Sequence, residues 1–413
     1  MCAGGRVVEV GPAAAVVRRY PDAPLTDLGD AIVVPGLVDA HCHLEWSLLD
    51  GVLPPARFSA WLGRLLRLRA RMRPDDHRVA ARHGALRALR AGTTTLADSG
   101  PTGAGAAAMT ELGLRGAVHL EAIGTPRGSG ARRTAAAVAA RVAALDAEAG
   151  PGIRGGLSPH APYTVGPELW RALAAEPVLS DRPWATHLAE SDDEARVVAE
   201  GRGPLAEVFA EVGFSPGRWD GPRGASTVAR VARGGGLRPG LVAAHCVRLD
   251  EGDPATLRSA GVSVAHCPRS NEHLRVGVAP LGALRDVGVA LGLGTDSPAS
   301  GGDYDVRAEA RACAGAHPGL PADALLRLST LGAAEALGLE DEAGSLSPGT
   351  RADLVALRPA GPVDDPHRTA LEAGTRVDAV IAGGELVVSC GDPVAIDAEA
   401  IVARASQSRE RLW

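Results

Sequence analysis

The sequence predicts an α/β chain whose main body is a (β/α)8 barrel, joined to a small β-sandwich made from both chain ends. Three observations predict it. Eight short apolar runs alternate with stretches of helical spacing. Most of these runs finish on a polar residue: His43, Asp98, Glu121, Ser158, His187, His245 and Asp296. Polar side chains gathered at strand C-termini are how a barrel builds an active site. Past residue 340 the pattern changes to turn-rich, short β-like runs. A doubly wound open sheet also alternates strand and helix, but it would not bring the first and last strands together.

Taken in order, Arg6-Val7-Val8-Glu9-Val10 reads as a strand, and residues 1–34 are assigned to the small domain. The barrel is assigned to residues 35–340. Its strand runs are Leu37–His43, Thr93–Asp98, Ala117–Glu121, Ile153–Ser158, Trp184–His187, Leu241–His245, Val262–Cys267 and Val289–Asp296. Between them, Phe58–Arg90, Thr134–Leu145, Asp192–Phe209 and Asp250–Ser259 have helical spacing. Arg127–Arg133, with Gly-Ser-Gly inside it, reads as a mobile loop, and Gly217–Pro239 as a surface insertion before the sixth strand. The remaining 341–413 completes the small domain. Ala352–Leu357 and Ala379–Val388 are its β-like runs, the second holding Gly383-Gly384 as a hairpin turn.

Composition excludes several chemistries. All 43 basic residues are arginine, so a Schiff base, a P-loop, a lysine base and a metal pair bridged by a modified lysine are ruled out. The net charge of −6 and the lack of a basic tract argue against a nucleic-acid partner. No apolar run is long enough to span a bilayer, and the first residues carry no export pattern. The expectation is a soluble, cytoplasmic protein acting on a small molecule, with neither membrane nor nucleic-acid partner; a homodimer is compatible with the sequence. None of the six cysteines forms a CxxC pair. Cys42, Cys246 and Cys267 each follow a histidine, so strand alternation turns them away from the face the histidines occupy.

Those strand ends suggest a metal centre. His41 and His43 stand two apart, and on a strand both imidazoles face one ion. His187 and Asp296, at two other strand ends, are the natural third and fourth ligands. An HxH pair alone is a weak signal; with a strand-end His, a second strand-end His and a Gly-Thr-Asp-Ser strand end it is a strong one. Glu190 lies three residues past His187. Asp192, Asp193 and Glu194 read as acidic residues favouring a helix N-terminus, and Glu190 as a catalytic group. His160 sits in a loop held by Pro159 and Pro162. Trp61 reads equally as pocket lining or as the core face of a helix. Arg269, Asn271 and Glu272 end strand seven within reach of a substrate. His266 and His273 are taken as structural, and His77, His83, His317 and His367 as solvated.

These pieces resemble the amidohydrolase superfamily, in its deaminase and chlorohydrolase branch. The resemblance is carried by Val34-Pro35-Gly36-Leu37-Val38-Asp39-Ala40-His41-Cys42-His43-Leu44, Leu157-Ser158-Pro159-His160-Ala161-Pro162-Tyr163-Thr164, His187-Leu188-Ala189-Glu190-Ser191, Ala244-His245-Cys246-Val247, Cys267-Pro268-Arg269-Ser270-Asn271 and Leu293-Gly294-Thr295-Asp296-Ser297. The tail Gly344-Ser345-Leu346-Ser347-Pro348-Gly349, followed by Ala352-Asp353-Leu354-Val355, also matches. The resemblance implies one divalent ion, zinc before iron, held by His41, His43, His187 and Asp296. It implies that Glu190 is the proton shuttle, that His245 sits beside the reacting water, that Asp296 takes that water's proton, and that His160 faces the substrate. Trp61, Arg269 and Asn271 complete the expected substrate contacts. The implied activity is hydrolytic deamination of an amino-substituted heteroaromatic ring. Adenosine-type and aminodeoxyfutalosine substrates stand first, and a chlorohydrolase or a guanine- or cytosine-type deaminase is the alternative. A metal-free binding protein on the same fold is the reading from another class; the intact ligand set with Glu190 argues against it.

Overall fold

A computed structural model describes residues 1–413. Its centre is a parallel sheet of eight strands in chain order. They are β1 (Leu37–Cys42), β2 (Thr93–Gly100), β3 (Arg115–Ala122), β4 (Ile153–Pro159), β5 (Trp184–Leu188), β6 (Leu241–His245), β7 (Ser263–His266) and β8 (Leu291–Leu293). All eight predicted strands are present, with ends shifted by a few residues. The ladder closes where β1 meets the end of β8. Asp296 N–H donates to His41 O at 3.0 Å, and His43 N–H donates to Asp296 O at 2.7 Å. Asp39 clamps the same seam from inside. Its carboxylate accepts from the Thr295 hydroxyl at 2.6 Å, the Thr295 N–H at 3.1 Å and the His41 N–H at 3.2 Å. Burial pushes the Asp39 carboxyl up to about 7, and the Thr295 and His41 donors oppose that rise.

The stretch of helical spacing over Phe58–Arg90 forms two helices, Phe58–Arg69 and Pro74–Arg90. Pro74 takes the first helical position, where its missing N–H costs nothing. Asp192–Phe209 is likewise two helices, Asp192–Glu200 and Pro204–Glu211, broken at Gly201, which adopts φ 69°. The loop expected at Arg127–Arg133 is corrected: a helix spans Ser129–Glu148 and starts inside it. Gly217–Pro239 is more than a surface insertion. It contains the helix Thr227–Arg233 and buries Trp219, whose ring lies edge-on to Trp170 at 5.3 Å.

Both chain ends contribute to a second, five-stranded antiparallel sheet. Ile32–Pro35 pairs with Leu354–Arg358, which pairs with Arg376–Ala382, then Glu385–Ser389 and Asp392–Pro393. The turn at Gly383-Gly384 falls where it was expected, with φ of 60° and 84°. The N-terminal strand is shorter than predicted: Arg6–Val7 pairs with Cys2–Ala3 as a small hairpin. The final helix, Ala398–Leu412, returns to the barrel, where Arg409 and Trp413 both donate to the Leu48 carbonyl. No helix is long and apolar enough to cross a membrane.

Gly116 fixes the β2–β3 register. It adopts φ 124°, and a Cβ there would lie 2.0 Å from the Leu96 carbonyl oxygen. Backbone cannot yield to that contact. Gly116→Ala is therefore expected to destabilise the fold by about 2 kcal/mol or more, measured by chemical denaturation; an unchanged midpoint would contradict the pairing.

Candidate metal centre

Four side chains from three distant segments converge at the C-terminal mouth of the barrel. The donor atoms of His41, His43, His187 and Asp296 all lie within 4.8 Å of one another, and all four residues are buried. His43 Nε2 is 3.1 Å from His187 Nε2 and 3.4 Å from Asp296 Oδ1, and His41 Nε2 is 3.9 Å from the same oxygen. Two donors each ~2.1 Å from a shared ion stand at most ~4.2 Å apart, so these separations fit a divalent cation.

The surrounding bonds select the tautomers that binding needs. His43 Nδ1–H donates to Ser99 O at 2.7 Å, and His187 Nδ1–H donates to His160 O at 2.7 Å. Each leaves Nε2 with a free lone pair. His41 Nε2 is buried with no hydrogen-bond partner, a costly arrangement that an ion would relieve. Burial, then the neighbouring imidazoles of His43 and His245, pull His187 down to about 3, so it is neutral. Burial works against a charge on Asp296, but His43, His245, His187 and Ser270 hold its carboxyl below its usual value. Its Oδ2 accepts from Ser270 at 2.5 Å and Ser300 at 2.7 Å, leaving Oδ1 toward the imidazoles.

Backbone strain concentrates here. His245, Cys246, Ala189 and Asp296 have φ of 73°, 47°, 53° and 56°, in the region non-glycine residues avoid. All four stand at the ends of β5, β6 and β8, where the chain turns sharply to present the side chains. Such strain is characteristic of functional sites.

A cavity of about 270 Å³ opens over this cluster. His43, His187, His245, Asp296, Glu190, His160 and Trp61 line it. His160 does more than face the cavity, since its carbonyl orients His187 while its own Nδ1 bonds Thr164 at 2.8 Å. Glu190 Oε1 stands 3.7 Å from His245 Nε2. Burial, and secondarily the charge of Asp296, raises the Glu190 carboxyl well above its usual value.

Two expected substrate contacts are corrected. Arg269 does not line the cavity: its guanidinium turns to buried Glu309 at 3.5 Å and to the Asp303 carbonyl. Asn271 lies behind His245 and accepts from its Nδ1 at 2.9 Å, so it orients an imidazole of the cavity wall. His77 is not solvated; it is buried 2.9 Å from Glu45, which also accepts from the backbone after β2. Cys42, Cys246 and Cys267 are buried and belong to no donor group, in line with strand alternation.

Other residues escaped the sequence reading. His119, buried on β3, packs beneath the site with Nδ1 on Asp98 O. It shares a strand face with Glu121, a signal the alternation carried. Arg69 lines the cavity, with Phe58, Leu62, Leu65 and Leu66 from the helix above it, and Glu121, already marked as a polar strand end, joins them. Positions 58, 62, 65 and 69 form one helical stripe, so that face was visible in the spacing. Phe209 and Phe214 reach the cavity from a later segment, which no local pattern announced. Glu194 is more than a helix-start charge. It accepts from the Ala189 and Glu190 N–H groups at 3.0 and 2.6 Å, and burial lifts its carboxyl to about 8.

The chain matches the Amidohydrolase family over residues 32–387, and residues 2–23 match an imidazolonepropionase-like composite domain of bacteria. The chain belongs to the amidohydrolase family. A 5-methylthioadenosine/S-adenosylhomocysteine deaminase of Pelotomaculum thermopropionicum is 31% identical, over 99% of this chain and 93% of its own. An adenosine deaminase of Xanthomonas campestris, crystallised with bound zinc, superposes with a TM-score of 0.83 at 29% identity, covering 99% and 92%. An atrazine chlorohydrolase of Arthrobacter aurescens, complexed with zinc, gives 0.80 at 25% identity, covering 99% and 94%.

Two outcomes follow from this geometry. His41→Ala is expected to lower bound metal at least tenfold by elemental analysis; full occupancy would remove His41 from the donor set. Glu194→Ala leaves two buried N–H groups unpaired. It is expected to cost about 1–3 kcal/mol per unpaired group in denaturation and to lower kcat more than it raises KM. A variant as stable and as active as the parent would show that Glu194 does not position Glu190.

Proposed function

We propose that this amidohydrolase is a metal-dependent deaminase of an adenosine-type nucleoside, with 5′-thio-substituted adenosines as the preferred class. The observation that carries the reading is Glu190. It is a buried carboxyl whose pKa burial raises well above its usual value, 3.7 Å from His245 and on the wall of the cavity above the His41, His43, His187 and Asp296 group. Relatives and solved structures named as deaminases of adenosine compounds support the substrate class.

His41, His43, His187 and Asp296 would hold one divalent ion, zinc by the chemistry of three imidazoles and a carboxylate. When bound, the ion supplies Lewis acidity that brings the pKa of water from 15.7 toward about 7. Asp296 Oδ1 accepts a proton from the attacking water, while Ser270 and Ser300 fix Oδ2. Glu190 donates its proton to the ring nitrogen beside the amino-bearing carbon, making that carbon electrophilic. His245, fixed by donating from Nδ1 to Asn271, presents the free lone pair of Nε2 to the attacking water and orients it. The water oxygen bonds to the ring carbon and the carbon–nitrogen bond breaks. One of the water's protons passes through Asp296 to the nitrogen, which leaves as ammonia; the other passes from the new oxygen to Glu190, restoring its carboxyl, and the ring keeps the oxygen as a carbonyl.

The cavity above the site suits a nucleoside with an apolar tail. Glu121, beside the imidazole of His43 at 3.7 Å, offers a carboxyl for ribose hydroxyls. Phe58, Leu62, Leu65, Leu66, Phe209 and Phe214 form an apolar wall. Arg69 is the one arginine in the lining and stands at the end of its helix, placed for a carboxylate at the far end of a longer substrate.

Glu190→Gln is expected to keep its metal and lose turnover by about 10²-fold or more, with ammonia release as the assay. A normal rate would take Glu190 out of the reaction. The raised Glu190 pKa sets the sign of the pH dependence. The proton donor is present at lower pH and is lost as pH rises through that elevated value, so kcat/KM falls on the alkaline side. In Glu190→Gln that fall is absent from the residual activity. Arg69→Ala is expected to weaken S-adenosylhomocysteine turnover about tenfold or more while sparing 5′-methylthioadenosine, since only the former carries a carboxylate. Equal losses on both would remove Arg69 from tail recognition. Chloride release from a chlorotriazine without ammonia release from any adenosine compound would replace the reading with a chlorohydrolase.

A further inference from the structure

We propose that His266, Cys313 and His317 form a second metal site, outside the catalytic cavity, that takes a zinc-class ion. His266 ends β7; Cys313 lies near the end of the helix Val306–Ala316, and His317 is the residue that caps it. Cys313 and His317 are four apart, so both side chains leave the same helix face, and the helix lays that face against the end of β7. The donor atoms of the three lie within 4.8 Å of one another. The His266 and His317 rings meet edge to face with centroids 5.6 Å apart.

A second observation points to a ligand. His266 is 1% exposed, yet neither of its ring nitrogens has a hydrogen-bond partner. His317 Nε2 is buried and unpartnered too. Buried polar nitrogens are normally paired, and three orphans in one spot are unusual. A cation bound by lone pairs would relieve at least two of them.

The donor chemistry narrows the ion. One thiolate and two imidazoles favour zinc-class cations and disfavour magnesium or calcium, which prefer oxygen. Around a tetrahedral ion such donors stand ~3.3–3.6 Å apart, so the site tightens by up to about 1.5 Å on binding. A cleft of about 560 Å³, lined by His266, Glu272, Ala312, Gly315 and Ala316, gives the ion a way in and room for a fourth ligand. The thiol loses its proton to solvent as the metal–sulfur bond forms, with no change of oxidation state.

The site also has a structural consequence. It ties the helix after β8 to β7, and the segment directly after β7 carries Ser270 and Asn271. These hold Asp296 and His245. Metal here acts as a clamp behind the catalytic wall and takes no part in the reaction.

The test uses the full-length enzyme, stripped of metal and reloaded with cobalt(II) under reducing conditions. The catalytic group contains no thiolate, so a thiolate-to-cobalt charge-transfer band reports the second site alone. The expected result is two equivalents per chain and the band. In Cys313→Ser and His317→Gln the band is lost or strongly weakened, the stoichiometry falls to one, and turnover stays within about twofold. His317→Gln, at the half-buried helix end, keeps the test valid should Cys313→Ser fold poorly. One equivalent without a band in the parent protein, or an unaltered band in Cys313→Ser, would overturn the proposal.

Discussion

The closure of the barrel between β1 and the end of β8 is the constraint on which the rest depends. Two backbone hydrogen bonds, from Asp296 to His41 and from His43 to Asp296, join residues more than 250 positions apart. The same bonds bring the carboxylate of Asp296 against the imidazoles of His41 and His43. Barrel and metal centre are therefore one event. Asp39 reinforces the seam with a buried carboxyl that burial would prefer to keep neutral, so its three donors matter more than any surface pair.

Around that seam, each cavity-lining group is held in place by a second group bonded behind or beside it. Ser99 and the His160 carbonyl set two imidazole tautomers. Ser270 and Ser300 turn Asp296, Asn271 turns His245, and Glu194 fixes the backbone of Glu190. Four left-handed non-glycine residues at strand ends belong to the same scheme. Folding absorbs their strain, and what results is a set of donors aimed before any ligand arrives. Acidic and basic roles then separate by surroundings. Glu190 sits where burial favours the neutral carboxyl, and Asp296 sits among imidazoles that favour its charge.

Much of this was legible in the residues. Period-2 alternation placed His41 and His43 on one face and turned Cys42 the other way. Polar residues at the ends of apolar runs marked the catalytic mouth, and the change of pattern after residue 340 marked the second sheet. What was missed has a common cause. Arg69, Phe209 and Phe214 reach the cavity through the packing of helices that cover it, and no local period specifies which helix covers which strand end. Arg269 and Asn271 follow a strand end and so looked like substrate contacts. Buried Glu309, on a helix 40 residues later, draws Arg269 away, and His245 engages Asn271. His77 looked solvated on a polar helix because its partner, Glu45, lies in a different segment.

The sequence alone determined the strand set, the candidate donor residues and the exclusion of lysine chemistry, because each rests on residue type and short-range spacing. Only the tertiary structure decided which polar strand ends gather in one donor group, which stand behind it and which are drawn aside. It also brought His266 to Cys313 and His317. Those outcomes depend on helix–strand packing and on competition between buried partners, and both are properties of the closed barrel.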